Sequence, residues 1–187
     1  MRSRRFWILI CLALASVGLS ACGKEAHPTV ADADNNGFYV DAGNVTYQLQ
    51  ISRELNPYSV EDSQYLKGLP AGTPQAKPNQ IWYGVFLLAK NQTDQPLRVT
   101  DRFDIVDTQG NVYTPITVDP ALNPYAWRQV DLLPSGTEPA LNTTMSQGPT
   151  QGGLVLFKLS DAVYDNRPIT LRIHPPSGES ASISLNL

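Results

Sequence analysis

Three carboxylates lie close together in one part of the chain. Asp101, Asp104 and Asp107 are spaced three residues apart, around a segment in which apolar and polar residues alternate. Two carboxylates at a suitable separation can supply the acid and the base of glycoside hydrolysis. The same residue types also form the polar face of a strand and the turn that follows it. The sequence favours the strand face and the turn, with an envelope hydrolase as the alternative.

The chain contains only two histidines, His27 and His174, that could act as a general base or bind a transition metal. A Ser-His-Asp site also needs a serine on a positioned turn, and no Gly-x-Ser-x-Gly motif is present. Thioether ligands for copper normally come in sets. Met145 is the only methionine beyond residue 1. We therefore predict no catalytic residue and no copper site.

Residues 32–37 match the first six positions of a calcium-binding loop. The twelfth position of such a loop is a bidentate glutamate, whereas this chain has Gly43 there. A run of acidic and amide side chains in a solvated spacer explains the same sequence. We predict no metal and no other cofactor.

The tetrapeptide Leu-Asn-Pro-Tyr occurs twice, ending at Tyr58 and at Tyr125. Asn-Pro begins turns, and a following tyrosine can pack its ring while its hydroxyl bonds to backbone. A second interpretation is that the two loops form one recognition surface, because binding residues are concentrated on the loops of rigid scaffolds. The candidate binding rim then consists of Tyr58, Tyr65, Tyr125 and Trp127.

Short β-strands are the elements that must position these residues. Residues 45–52 alternate between apolar and polar, as do 169–173 and 181–187, which indicates strands with one solvated face. Residues 80–90 and 154–159 are apolar on both faces, which is typical of covered strands. Residues 107–111 predict a hairpin turn. The pattern predicts an antiparallel β-sandwich of about 7–9 strands, with long proline-containing loops at 56–79 and 117–151.

A separate segment precedes the strands. Residues 1–21 combine an arginine-rich start with an apolar stretch of about 14 residues, Phe6 to Leu19, and small residues after it. This is the composition of a secretory signal peptide. The ending Leu19-Ser20-Ala21-Cys22 resembles the lipobox of bacterial lipoproteins, which implies cleavage before Cys22 and lipid on its thiol. Residues 22–37 then predict a flexible tether, and residues 38–187 the folded domain.

Cysteine content and charge exclude several classes of function. Cys22 is the only cysteine beyond the predicted leader, so a disulfide within the domain and thiol catalysis are excluded. Removal of the leader's three arginines leaves 11 basic against 17 acidic residues, a net charge of −6. No basic cluster remains, and nucleic acid is therefore not a predicted partner.

The order of three apolar segments resembles a known family. Residues 83–91 (YGVFLLAKN), 103–113 (FDIVDTQGNVY) and 152–157 (GGLVLF) are similar to secreted bacterial domains that include the mycobacterial immunoprotective extracellular protein family. The resemblance covers roughly residues 45–173. It implies an immunoglobulin-like β-sandwich outside the cytoplasm and carries over no catalytic residues. The chain departs from the family pattern at Ser160, where proline is frequent, and in its long 56–79 segment.

These observations predict a lipoprotein on the extracytoplasmic face of a bacterial membrane. Its domain is predicted to be a non-enzymatic binding module for a protein or another envelope component. An envelope hydrolase and a carrier of a small ligand or metal are the alternatives.

Overall fold

The fold is known from a computed structural model, which describes residues 25–32, 38–185 and 187. The predicted leader and Cys22 lie outside the described residues. Twelve strands are present in the described part of the chain, and eight of them contain three or more residues. Two five-stranded sheets contain ten of the strands. The all-β sandwich predicted from the sequence is confirmed.

The first sheet is built from the N-terminal strand and the C-terminal half of the chain. Its spatial order is β1 (Val30–Asp32), β12 (Ala181–Leu185), β11 (Ile169–Ile173), β6 (Phe103–Val106) and β7 (Val112–Tyr113). The predicted hairpin turn joins β6 to β7, with Gly110 at a φ of 82°. All pairs in this sheet are antiparallel except β1 with β12, which is parallel.

The second sheet contains the longest strands. Its order is β10 (Gly153–Ser160), β4 (Gln80–Asn91), β3 (Val45–Leu55) and β2 (Tyr39–Ala42), and β9 (Thr137–Glu138) also pairs with β4. β5 (Leu97–Arg98) and β8 (Asp131–Leu132) form a separate two-stranded pair. The short helices α1 (Val60–Ser63) and α2 (Thr144–Gln147) lie in the two long loops. In the described part of the chain, no helix has the length and apolar character needed to cross a membrane.

The second sheet buries both of its faces over β10, β4 and the end of β3. Alternate side chains of β4, among them Tyr83, Val85 and Leu87, join the core between the two sheets. The intervening residues Trp82 and Phe86 belong to a second hydrophobic core. Successive side chains of a strand point to opposite faces, so the second core lies on the far side of the sheet. The sequence-based prediction of a covered central strand is thereby confirmed.

A β-bulge moves β3 from one core to the other. The pairing of β3 with β4 shifts between Leu49 and Ile51. Before the shift Tyr47 and Leu49 belong to the core between the sheets, and after it Leu55 belongs to the second core. The bulge reverses the alternation. The prediction that Ile51 shares a face with Leu49 is therefore wrong, and Ile51 is 37% exposed.

The two long loops form the cover over the second core. Residues 56–79 contribute Tyr65, and residues 117–151 contribute Val118, Tyr125 and Met145. Without this cover, the outer face of the sheet would expose large apolar side chains, at a cost of about 1.5–3 kcal/mol for each one. The loops are therefore part of the folded core.

Asn123 joins one covering loop to the other. Its side chain is fully buried, and its Nδ2 donates hydrogen bonds to the carbonyls of Tyr65 at 2.9 Å and Lys67 at 3.0 Å. Its Oδ1 accepts from the backbone N–H of Tyr125 at 2.9 Å. Asn56, in the other copy of the tetrapeptide, forms the equivalent turn to Tyr58 N–H at 2.9 Å. Asn56 is exposed.

The folded domain begins before residue 38. Residues 30–32, which the sequence analysis places in the flexible tether, form β1 beside β12. The backbone N–H of His27 donates to Asp41 Oδ2 at 3.1 Å, and Asp41 N–H donates to the Pro28 carbonyl at 3.0 Å. The prediction of a flexible tether is therefore wrong for residues 27–32, because this segment forms hydrogen bonds with the domain.

The two asparagines provide a matched test of the loop cover. Asn123→Ala leaves buried carbonyls unsatisfied, so we expect it to lower the free energy of unfolding by about 3 kcal/mol. Asn56→Ala removes one exposed hydrogen bond of a turn and should lower the free energy of unfolding by less than about 1 kcal/mol. Denaturant unfolding of the purified chain measures both values. Equal losses for the two variants would contradict this role of Asn123.

Candidate functional site

Trp127 lies at the mouth between the two sheets. Its ring centroid is 6.2 Å from that of Tyr47 in the second sheet and 5.7 Å from that of Phe103 in the first. The indole also lies directly over Gly153, where an added Cβ would come within 2.7 Å of a ring carbon. Glycine at this position lets β10 approach the ring closely. Trp127 therefore packs against both sheets at once.

Thr100 fixes the polar end of this aromatic group. Trp127 Nε1–H donates to the Thr100 carbonyl at 2.7 Å, and Thr100 N–H donates to the Tyr47 hydroxyl oxygen at 3.0 Å. The Thr100 hydroxyl donates to the His174 carbonyl at 2.5 Å. Burial raises the pKa of Tyr47 to about 12, although its hydrogen bond from Thr100 opposes that shift. The Tyr47 hydroxyl is consequently protonated at neutral pH.

Two loop segments bond to the outer edge of β10 on either side of Val155. Ile116 N–H donates to the Leu156 carbonyl at 2.7 Å, and Trp127 N–H donates to the Leu154 carbonyl at 2.9 Å. Leu154 N–H in turn donates to the Tyr125 carbonyl at 2.7 Å. The loops thus satisfy an otherwise open sheet edge. They diverge from there and leave a space between them.

That space is a half-open groove of about 470 Å³, which we call the Trp127 groove. Its lining is mainly apolar. The residues that line it are Asp101, Phe103, Pro115, Ile116, Thr117, Val118, Pro120, Ala126, Trp127, Arg128, Gln129, Val130, Leu154, Val155 and Leu156. A groove of this size, with an apolar floor and few polar groups, is typical of small-ligand sites.

Polar side chains are concentrated at one rim of the Trp127 groove. Gln129 Nε2 donates to Asp101 Oδ1 at 3.0 Å, and Arg98 donates to Gln129 Oε1 at 2.9 Å. Arg128 also lines the groove, and its positive charge interacts with the carboxyl group of the buried Glu138. Burial raises the pKa of Glu138, and Arg128 opposes that rise. The rim therefore offers charged and amide groups beside an apolar floor.

The structure does not assemble the predicted aromatic rim. Tyr65 and Tyr125 are buried in the second core, where their rings meet edge to face at 4.9 Å. Tyr58 is 95% exposed on the other loop, and Trp127 is half-buried in its groove. The two tetrapeptides form the same turn, but only the second one directs its tyrosine into the core. The interpretation of the tetrapeptides as turns agrees with the structure.

The carboxylates of the hydrolase alternative have different surroundings. Asp101 lies at the groove rim, whereas Asp107 is buried and accepts hydrogen bonds from the backbone of Gln109 and Asn111 and from the side chains of Asn111 and Asn166. Burial would raise the pKa of Asp107, but these hydrogen bonds outweigh it and lower the pKa. Asp107 therefore stabilises the hairpin turn, as its sequence context predicts.

Asp104 does pair with a histidine. Its carboxylate accepts from Arg172 Nε at 2.5 Å and lies 2.6 Å from His174 Nε2. Ser180 Oγ lies 3.4 Å from the other ring nitrogen of His174. None of these residues lines the Trp127 groove. The three carboxylates named in the sequence analysis do not converge on one cleft.

No group of three or more metal-ligating side chains is found within residues 25–32, 38–185 and 187. Most of the candidate calcium loop, residues 33–37, lies outside the described residues, so the prediction about that loop remains a prediction.

Comparisons with known proteins relate the chain to bacterial structures by fold. No protein-family model matches the sequence, and no curated protein matches it. The yjhA protein from Bacillus subtilis is similar with a TM-score of 0.53 at 10% identity, over 81% of this chain and 99% of that one. At this identity, the likeness shows the fold alone.

Two further structures are less similar. One is an uncharacterized β-sandwich protein from Clostridium difficile 630, with a TM-score of 0.45 at 12% identity over 88% of this chain and 99% of that one. The other is a conserved hypothetical protein from Bacillus anthracis, with a TM-score of 0.46 at 10% identity. The similarity covers 79% of this chain and 93% of that one.

Sequence reasoning identified Trp127 but not the groove beside it. The groove depends on Gly153, on Thr100 and on the pairing of Ile116 with Leu156, which are distant from one another in sequence. The glycine pair 152–153, at which β10 begins, is the one local signal, because glycine at the start of a strand permits close approach of a ring.

Proposed function

We propose that this chain is a lipid-anchored protein on the extracytoplasmic face of a bacterial membrane. Its β-sandwich binds a ligand in the Trp127 groove and catalyses no reaction there. The observation that carries the binding proposal is the groove itself, a half-open space of about 470 Å³ with an apolar floor and a polar rim.

The proposal of a lipid anchor rests on the N-terminal sequence. Residues 1–21 have the composition of a secretory leader, and Leu19-Ser20-Ala21-Cys22 resembles a lipobox. Diacyl lipid on one cysteine is a sufficient membrane anchor, since two acyl chains hold firmly where one does not. The resemblance of three segments to the family of the mycobacterial immunoprotective extracellular protein also supports an extracytoplasmic setting.

The attachment point of the tether supports display of the domain away from the lipid. Residues 27–29 bond to Asp41 and Ser182, and Asp41 pairs with Thr46 near the start of β3. The end of β3 at Leu55 lies roughly 30 Å further along the strand. In the proposed arrangement, the loop that begins at Asn56 is the membrane-distal end of the domain.

The chemistry of the Trp127 groove favours an amphipathic ligand. Phe103, Ile116 and Val155 supply apolar surface, while Asp101, Gln129 and Arg128 supply hydrogen bonds and charge. A small molecule with an apolar body and a polar or anionic end fits that division. An apolar side chain of a partner protein would use the same surface, and the carrier alternative would use the same site.

The anchor is tested by mass spectrometry of the protein purified from bacterial membranes. We expect a chain that begins at Cys22 and carries diacylglycerol, and a Cys22→Ala variant that accumulates with its leader intact. An unmodified N-terminus, or retention of the leader by the unaltered protein, would refute the lipid anchor without affecting the groove.

The groove is tested by filling it. Thr117 is exposed and lines the groove, so Thr117→Trp should occupy the space without removing a core contact. With anilinonaphthalene sulfonate as the probe, calorimetric titration should show affinity reduced at least about tenfold. Thr114→Trp is the control, because Thr114 is exposed on the same loop and is not among the lining residues. Equal affinity for both variants would show that the probe binds elsewhere.

A further inference from the structure

A second groove lies where β3 ends. It has a volume of about 480 Å³ and is polar and apolar in about equal measure. We call it the Tyr58 groove. The residues that line it are Glu54, Leu55, Asn56, Pro57, Tyr58, Gln75, Ala76, Lys77, Pro78, Gln80, Ile81 and Trp82. Its walls are thus the end of β3, the start of β4 and both ends of the 56–79 loop.

Tyr58 presents an aromatic ring to solvent from a fixed backbone. The ring is 95% exposed, whereas the tyrosine at the same place in the second tetrapeptide is 9% exposed. The hydrogen bond from Tyr58 N–H to Asn56 Oδ1, at 2.9 Å, holds the turn. Large exposed aromatic surface is unfavourable in water. The exposed ring of Tyr58 can stack on a flat apolar surface.

The floor of the Tyr58 groove is aromatic, and the Lys158 ammonium that contacts it is not among the lining residues. Trp82 is 2% exposed, and the Lys158 ammonium lies 4.4 Å from its ring centroid. Lys158 Nζ donates to the Pro74 carbonyl at 2.5 Å, which ties the 56–79 loop to β10. Trp82 Nε1–H is buried and has no acceptor among the described residues. Because this N–H is inaccessible from the groove, Trp82 contributes apolar surface to the floor.

The polar groups of the walls are mixed in kind and balanced in charge. Gln75 and Gln80 offer amides that both donate and accept. Glu54 supplies one carboxylate, which also accepts from the Tyr164 hydroxyl at 2.5 Å, and Lys77 supplies one ammonium. One negative and one positive charge favour a ligand without net charge. Amides beside a carboxylate and an ammonium suit a ligand with several hydroxyl groups.

We infer that the Tyr58 groove binds a neutral oligosaccharide. A pyranose ring has an apolar face that stacks on the Tyr58 ring and equatorial hydroxyls that donate to Glu54 and bond to the amides of Gln75 and Gln80. The site is separate from the Trp127 groove, with which it shares no lining residue. Its location follows from the fold and does not depend on the lipid anchor.

The test is calorimetric titration of the purified full-length protein with cellotetraose and with chitotetraose. We expect at least one of them to bind, and Tyr58→Ala to weaken that binding at least about tenfold. Tyr58→Phe keeps the ring and should retain the affinity within about threefold. Gln75→Ala removes an exposed amide from the lining and should weaken binding several-fold.

Matched controls separate this site from the rest of the surface. Tyr39→Ala removes a tyrosine that is 43% exposed on β2, and Thr117→Trp fills the Trp127 groove. Both should leave saccharide affinity unchanged. Absence of binding by both tetrasaccharides up to about 10 mM, or equal affinity of Tyr58→Ala and the unaltered protein, would overturn the inference. Neither result would bear on ligand binding in the Trp127 groove.

Discussion

The structure depends on one constraint, which is that β10, β4 and the end of β3 are apolar on both faces of their sheet. The first sheet covers one face, and the opposite face needs a cover that no third sheet supplies. The 56–79 and 117–151 loops fill that role with Tyr65, Tyr125 and Met145. Asn123 holds the two loops together through its buried amide, beside the backbone hydrogen bond from Asp119 N–H to the Gly68 carbonyl.

Both candidate binding sites follow from this arrangement. The Trp127 groove forms where two loop segments diverge after bonding to the edge of β10. The Tyr58 groove forms where the 56–79 loop leaves β3 and returns to β4. Each groove has a floor of sheet residues and walls of loop residues.

The sequence predicted the features that depend on local pattern. The two-faced character of residues 80–90, the 107–111 hairpin turn and the turns at both asparagines follow from alternation and turn chemistry. The bulge after Leu49 gives no such signal, so the side taken by Ile51 could not be predicted. Tyr58 is exposed and Tyr125 is buried because only Tyr125 lies beside the second core, and the position of that core depends on the tertiary fold. Residues 30–32 are too short a segment to show a strand pattern in the sequence, and they become a strand because β12 offers an unpaired edge.

The central claim is that the loops form fixed structure against β10 and against each other. Amide hydrogen exchange, measured residue by residue by NMR, tests it directly. The account predicts that the amides of Ile116, Trp127 and Asp119, which donate to the carbonyls of Leu156, Leu154 and Gly68, exchange as slowly as amides within β4. Exchange at these three positions as fast as in an exposed, unpaired loop would contradict it.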